Sequence, residues 1–283
     1  MDVGDNHLHS TGSDGELTPE QIIKKAIALG LAYVCFTDHY PFPPEFESGF
    51  ENADRWAHFH NQKYYEEVQR IKKQFADRIE VFFGAEFHWL EKYQDWTEQE
   101  LAKRDYDYAL AAVHMVPKGR NLNPINWTDE IFQKAIKDYN GIENLVREYY
   151  RQVRLLAQSG LFDCIAHLDL IKVFNKDDKY FSEKEDWYHE VVLQTLDAIA
   201  ETRICIEINT SGLRDFFPCK DQFPSYWIIQ EACKRNIPIT LGSDAHEKQD
   251  IGSGLDYAIE LAKKASYEHI LKFKNRKPIE VPI

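Results

Sequence analysis

The chain is poor in the features that would give it a thiol-based or membrane-based function. It has five cysteines in 283 residues, an odd number with no CxxC pair, so neither a disulfide framework nor a thiolate zinc site is indicated. Cys35, Cys164 and Cys205 fall inside apolar, strand-like runs, where reduced, buried thiols are expected. No run of about 18 apolar residues occurs, so no transmembrane helix is expected. The N-terminal residues lack a basic segment followed by an apolar one, so no signal peptide is expected and the reading is cytoplasmic. Basic charge is also short: 34 Lys and Arg against 47 Asp and Glu leave a net charge of −13. That balance disfavours a broad nucleic-acid surface but leaves room for a local metallic pocket. No GxSxG motif or evident Ser/His/Asp set is present, which argues against acyl chemistry. No Gly/Ser/Pro linker, internal repeat or low-complexity tract divides the sequence, so residues 1–283 read as one domain.

Against these absences stands a regular alternation. Short apolar runs at 3–10, 32–39, 79–88, 107–116, 161–170, 203–212 and 237–246 are rich in β-branched and aromatic residues, as buried parallel strands are. Helical patterns lie between them. In LTPEQIIKKAIALG, Thr18 reads as N-cap, Pro19 as first helical residue, Gln21 as capping-box partner and Gly30 as the C-terminal glycine. A second helix runs to Gly160. A third is expected to start at Ser182 with Glu185 three residues on, and two more follow the last two strands. Strands each followed by a helix or loop predict an α/β barrel with seven strands. The connections around 40–60 and 117–140 are long and polar, and the first, opening YPFPPEFESGF, is expected to be a lid.

The chemistry gathers at the strand ends. DNHLHS supplies His7 and His9, STGSDG supplies Asp14, and TDH supplies Asp38 and His39. GAEFH gives Glu86, and the fourth run gives His114. AHLD gives His167 and Asp169, and SDAH gives Asp244 and His246. Strand side chains alternate faces, so the HxH, HxD and DxH pairs each aim two ligands at one point. The C-terminal ends of barrel strands converge on a common mouth. Imidazole and carboxylate ligands without cysteine suit Zn, Fe or Mn at a working site rather than a structural one. The candidates are too many for one ion and suit two or three. Clustered divalent ions fit hydrolysis, with a metal-bridging hydroxide attacking phosphorus in line. His88 is placed beside the cluster on the face of Glu86. His58, His60, His189 and His269 have no comparable support.

Taken together, HxH, TDH, GxE, a lone His, HxD and SDxH resemble the polymerase and histidinol phosphatase (PHP) superfamily, over nearly the whole chain from His7 to His246. The resemblance implies a distorted (β/α)7 barrel and a trinuclear site. Carried over by position, His7, His9, Glu86 and Asp244 would hold a first ion. Glu86 would bridge to a second, completed by His114 and His167. His39, His246 and an N-terminal ligand would hold a third. Many relatives have a histidine at that last position, where this sequence offers Asp14.

TDHYPFPPEF and EINTSGLR further resemble the stand-alone histidinol-phosphate phosphatases. That implies hydrolysis of L-histidinol phosphate to histidinol and phosphate in histidine biosynthesis. Asp244 would orient the nucleophile, and Arg214, near Asn209 and Ser211, would bind phosphoryl oxygens. Phe42, Glu45, Glu47 and Trp56 of the lid are candidates to meet the imidazole and amine. Asp169 reads as a support for His167. The expected partner is a small-molecule phosphate monoester, with no nucleic acid and no membrane. Oligomeric state is not legible. Two alternatives remain open at this point: a related phosphoesterase acting on nucleotides or oligonucleotide ends, and a non-catalytic metal-binding or regulatory module.

Overall fold

The structure, a computed structural model, describes residues 3–43, 61–119 and 121–283. The lid expected over 40–60, with Glu45, Glu47, Trp56, His58 and His60, therefore lies largely outside the described residues.

Seven strands, β1 (Asp5–Leu8), β2 (Tyr33–Phe36), β3 (Glu80–His88), β4 (Tyr108–Ala112), β7 (Cys164–Ile165), β8 (Cys205–Asn209) and β9 (Ile239–Gly242), form one sheet in the order β1-β2-β3-β4-β7-β8-β9. Every described pairing in it is parallel. The two edges meet: Asp244 N donates to His7 O at 2.8 Å and His9 N to Ala245 O at 2.9 Å. The result is a nearly closed barrel, and each sheet strand falls inside a run read from the sequence.

Alternation along the strands sorts the core. Cys35, Phe82, Tyr108, Leu110, Cys164 and Cys205 pack in one cluster, with Phe273 against them. Their neighbours Val34, Phe36, Phe83, Ala109, Ala111, Ile165, Ile206, Ile239 and Leu241 pack in the other, shared with the helices. Continuing the first set upward by steps of two reaches His39, Glu86, His114, Glu207 and Asn209. The apolar floor and the polar mouth therefore share one face of the strands.

Eight α-helices are described: α1 (Pro19–Leu29), α2 (Gln62–Gln74), α3 (Gln94–Leu101), α4 (Asp129–Asp138), α5 (Ile142–Gln158), α6 (Asp186–Ala200), α7 (Tyr226–Lys234) and α8 (Leu255–Lys264). The capping box of α1 forms as read: Thr18 accepts from Gln21 N, and Gly30 takes the left-handed conformation at φ 76°. The start expected at Ser182 does not form. Ser182 N instead donates to Glu185 Oε1 at 3.0 Å, closing a turn, and α6 begins at Asp186. The 117–140 connection is not an open loop. It carries the hairpin of β5 (Met115–Lys118) and β6 (Asn121–Pro124) and then α4, which Thr128 caps and which buries Phe132 and Ala135. A second hairpin, β10 (His269–Lys274) with β11 (Lys277–Pro282), follows α8, carries His269 and brings Phe273 to the barrel floor. No described helix is long and apolar enough to cross a membrane.

Candidate metal centre

Every metal-ligand candidate read from the sequence comes to one end of the barrel, in three adjoining groups: His7, His9 and Asp244; Glu86, His114 and His167; and His9, Asp14, His39 and His246. Glu86 lies between the groups. Its Oε2 is 3.5 Å from His7 Nε2, 3.6 Å from His9 Nε2 and 2.8 Å from His39 Nδ1. Its Oε1 is 3.1 Å from His167 Nε2 and 3.5 Å from His114 Nε2. Asp244 Oδ1 lies 3.2 Å from His9 Nε2, 3.7 Å from His7 Nε2 and 3.6 Å from His246 Nδ1. Asp14 stands 3.3 Å from His246 Nε2 and 3.8 Å from both His9 Nδ1 and His39 Nε2.

These separations bear on whether the residues fit metal ions. Donors sharing a tetrahedral zinc at about 2.0–2.2 Å stand roughly 3.3–3.6 Å apart, and most of the distances above fall near that range. His7 Nε2 and His9 Nε2 face each other at 3.1 Å. Among the described residues, no lysine or arginine pairs with Asp14, Glu86 or Asp244, although Glu86 is buried. Buried carboxylates without a basic side chain need another source of positive charge. The donor set therefore fits divalent cations.

The electrostatics agree. Burial works against the charge of Glu86, but His39, His7 and His114 hold its carboxyl well below the usual range. Asp244 is likewise held low, against its burial, by His7, His9 and His246. Burial and the neighbouring imidazoles His246 and His39 push His9 down to about 3. His114 is pushed down to about 3, chiefly by burial. Both imidazoles are therefore neutral at ordinary pH. His246 moves the other way: burial opposes its charge, but Asp14 and Asp244 raise it to about 9.

Local backbone also serves the site. His167 (φ 27°) and Asp244 (φ 53°) occupy the left-handed region, uncommon for residues other than glycine. Asp38, beside His39 in sequence, points elsewhere. It accepts from Ser10 N and Ser13 Oγ at 2.7 Å, from Ser10 Oγ at 2.8 Å, and from Tyr64 Oη of α2. It thereby fixes the loop that carries Asp14. Gly12 belongs to the same loop, and a Cβ there would come within 2.3 Å of the Tyr64 ring.

Arg214, Asp169 and His88 also have defined partners. Arg214 Nη1 donates to Asp244 O at 3.0 Å, its other amino group donates to Ser243 O, and Nε lies 3.4 Å from Asp250. In this arrangement the guanidinium holds the chain that carries Asp244. Asp169 does not contact the His167 ring. It accepts from Ser225 N at 2.9 Å and pairs with the buried Lys172 at 3.1 Å. His88 Nδ1 lies 2.8 Å from His114 Nδ1, and its ring stacks on Phe42 at 4.4 Å. Sequence reasoning passed over Glu207, which lies 2.7 Å from His7 Nδ1. The signal was present in EIN, where Glu207 and Asn209 repeat the i, i+2 spacing of the histidine pair.

A seven-stranded parallel barrel with a histidine- and carboxylate-lined mouth is the architecture of a metal-dependent hydrolase. The PHP domain family model matches residues 5–211, and the chain belongs to that family. Its relatives include a Deinococcus radiodurans protein named "Probable histidinol-phosphatase", 32% identical over 88% of each chain. The Bacillus subtilis histidinol-phosphatase is 26% identical, over 92% of this chain and 99% of that one. Among solved structures, the Lactococcus lactis histidinol phosphate phosphatase complexed with zinc, L-histidinol and phosphate shares the fold. Its TM-score is 0.76 at 23% identity, over 97% of this chain and 98% of that one.

Proposed function

We propose that this chain is a metal-dependent phosphatase that hydrolyses L-histidinol phosphate to L-histidinol and phosphate, in the cytoplasm. The observation that carries the reading is the set of three adjoining ligand groups around Glu86 at the barrel mouth. The relatives supply the substrate. His7, His9, Glu86 and Asp244 would hold one ion, Glu86, His114 and His167 a second, and Asp14, His39 and His246 a third, the ions being Zn, Fe or Mn. When bound, such ions acidify water and neutralise phosphoryl oxygens.

The chain's own residues supply the frame. Asp244, a carboxylate at neutral pH, accepts a hydrogen bond from the attacking water and orients it. Asn209 Nδ2, 3.4 Å from Asp244 Oδ2, helps to fix that carboxylate. Arg214 holds the carbonyls of Ser243 and Asp244 and so fixes the backbone from which Asp244 projects. His88 orients the His114 ring through their Nδ1 contact.

The test is phosphate release from L-histidinol phosphate beside nucleoside monophosphates, with and without a chelator. Chelator-sensitive turnover that prefers L-histidinol phosphate supports the reading. Equal turnover of all monoesters removes the substrate assignment, and no turnover with metals supplied removes the enzyme.

A further inference from the structure

Glu207 is fully buried in the barrel, one step of two below Asn209 on β8. Oε1 lies 2.7 Å from His7 Nδ1. Oε2 accepts from His167 N at 3.1 Å and from Asn209 Nδ2 at 2.9 Å. The same Asn209 amide reaches Asp244 Oδ2 at 3.4 Å. Space for this carboxylate is reserved: a Cβ on Gly242 would sit 2.0 Å from Glu207 Oε1 and 2.5 Å from His7 Cβ.

One carboxylate thus meets three donors, and two of them, His7 Nδ1 and the His167 amide, belong to residues of two different ligand groups. A proton on His7 Nδ1 donated to Glu207 leaves the Nε2 lone pair facing His9, Glu86 and Asp244, the tautomer a metal ligand needs. The His167 amide, held by the other oxygen, belongs to a residue in the left-handed region, so its backbone needs an anchor. We infer that Glu207 is a positioning residue that couples two ion positions, fixing His7 for the first and the His167 backbone for the second. The inference rests on reading the cluster as a metal centre.

Glutamine has nearly the same shape but only one acceptor oxygen. In either orientation its NH2 group faces a donor, His7 Nδ1–H on one side or the His167 and Asn209 N–H groups on the other. The test is zinc titration of metal-free protein against a chromogenic chelator, with the visible spectrum of the cobalt-loaded protein as a second readout. Circular dichroism first establishes that each metal-free variant is folded. Wild type is expected to bind zinc at several positions. In Glu207→Gln, the two coupled positions should weaken together by about 10- to 100-fold and the cobalt bands should change, while the position of Asp14, His39 and His246 keeps its affinity. If wild type itself takes up no zinc, the metal-centre reading fails. If wild type binds but a folded Glu207→Gln binds equally well with an unchanged cobalt spectrum, or weakens at one position only, the coupling role is overturned. Should the glutamine variant not fold, Glu207→Asp, which keeps both oxygens but shortens their reach, is read the same way. Unchanged zinc binding there overturns the inference too.

Discussion

His39 Nδ1 stands 2.8 Å from Glu86 Oε2, and the two residues form a parallel bridge that carries the pairing of β2 and β3 into the mouth. Glu86 thereby stands within 3.6 Å of a histidine in every ligand group. Glu86→Gln keeps the size of the side chain but removes the charge. It should lower bound metal per chain and reduce phosphate release by more than about 100-fold. Metal analysis of the purified variant beside wild type checks this.

Asp38 is expected to act through the loop it pins. Asp38→Ala leaves Ser10 N, Ser10 Oγ, Ser13 Oγ and Tyr64 Oη without their buried acceptor. Unfolding in urea should show a loss of about 2–4 kcal/mol. Metal should be lost first from the position that includes Asp14.

Arg214 separates two accounts of its role. Held on the carbonyls of Ser243 and Asp244, it should set the geometry of Asp244 rather than substrate affinity. A lysine ammonium lacks the planar fork that holds both carbonyls in fixed geometry, so Arg214→Lys should lower kcat by about 10- to 100-fold with little change in KM. Steady-state kinetics decide, since a raised KM at unchanged kcat would instead place the side chain on the phosphate.

Protons compete with metal at His246. Its folded value, raised to about 9 by Asp14 and Asp244 against burial, lies above the ordinary value near 6.5. In metal-free protein its charge therefore contributes stability that is full below about 6.5 and lost as pH rises through 9. Melting of chelated protein from pH 6 to 9.5 should fall more steeply for wild type than for His246→Gln. Zinc affinity should rise over the same range as the proton becomes easier to displace.

The strands and the gathering of His, Asp and Glu side chains at the mouth were legible because both follow a period of two. Alternation placed Cys35, Phe82 and Leu110 on the face that ends in His39, Glu86 and His114. The two hairpins were not legible: β10 and β11 alternate weakly and mostly face solvent, so little apolar pattern marks them. Ser182 and Glu185 matched a capping box in spacing, but such a pair also closes a plain turn. Asp38 and Asp169 stood among the strand-end carboxylates, Asp169 as a support for His167, because spacing reports the face a residue occupies, not which donors lie closest. Tyr64 and Lys172, distant or off-pattern in sequence, claimed them. Glu207 was overlooked because a carboxylate beneath a histidine makes sense only once the histidine's other nitrogen is seen.

The central claim is that the ligand-lined mouth hydrolyses L-histidinol phosphate with bound metal. Phosphate release from metal-loaded protein, compared across L-histidinol phosphate and nucleoside monophosphates, tests it most directly. The account predicts turnover that strongly prefers L-histidinol phosphate, stops with chelator and returns when zinc or manganese is restored. Turnover that is indifferent to the chelator, or absent with metals bound, would contradict it.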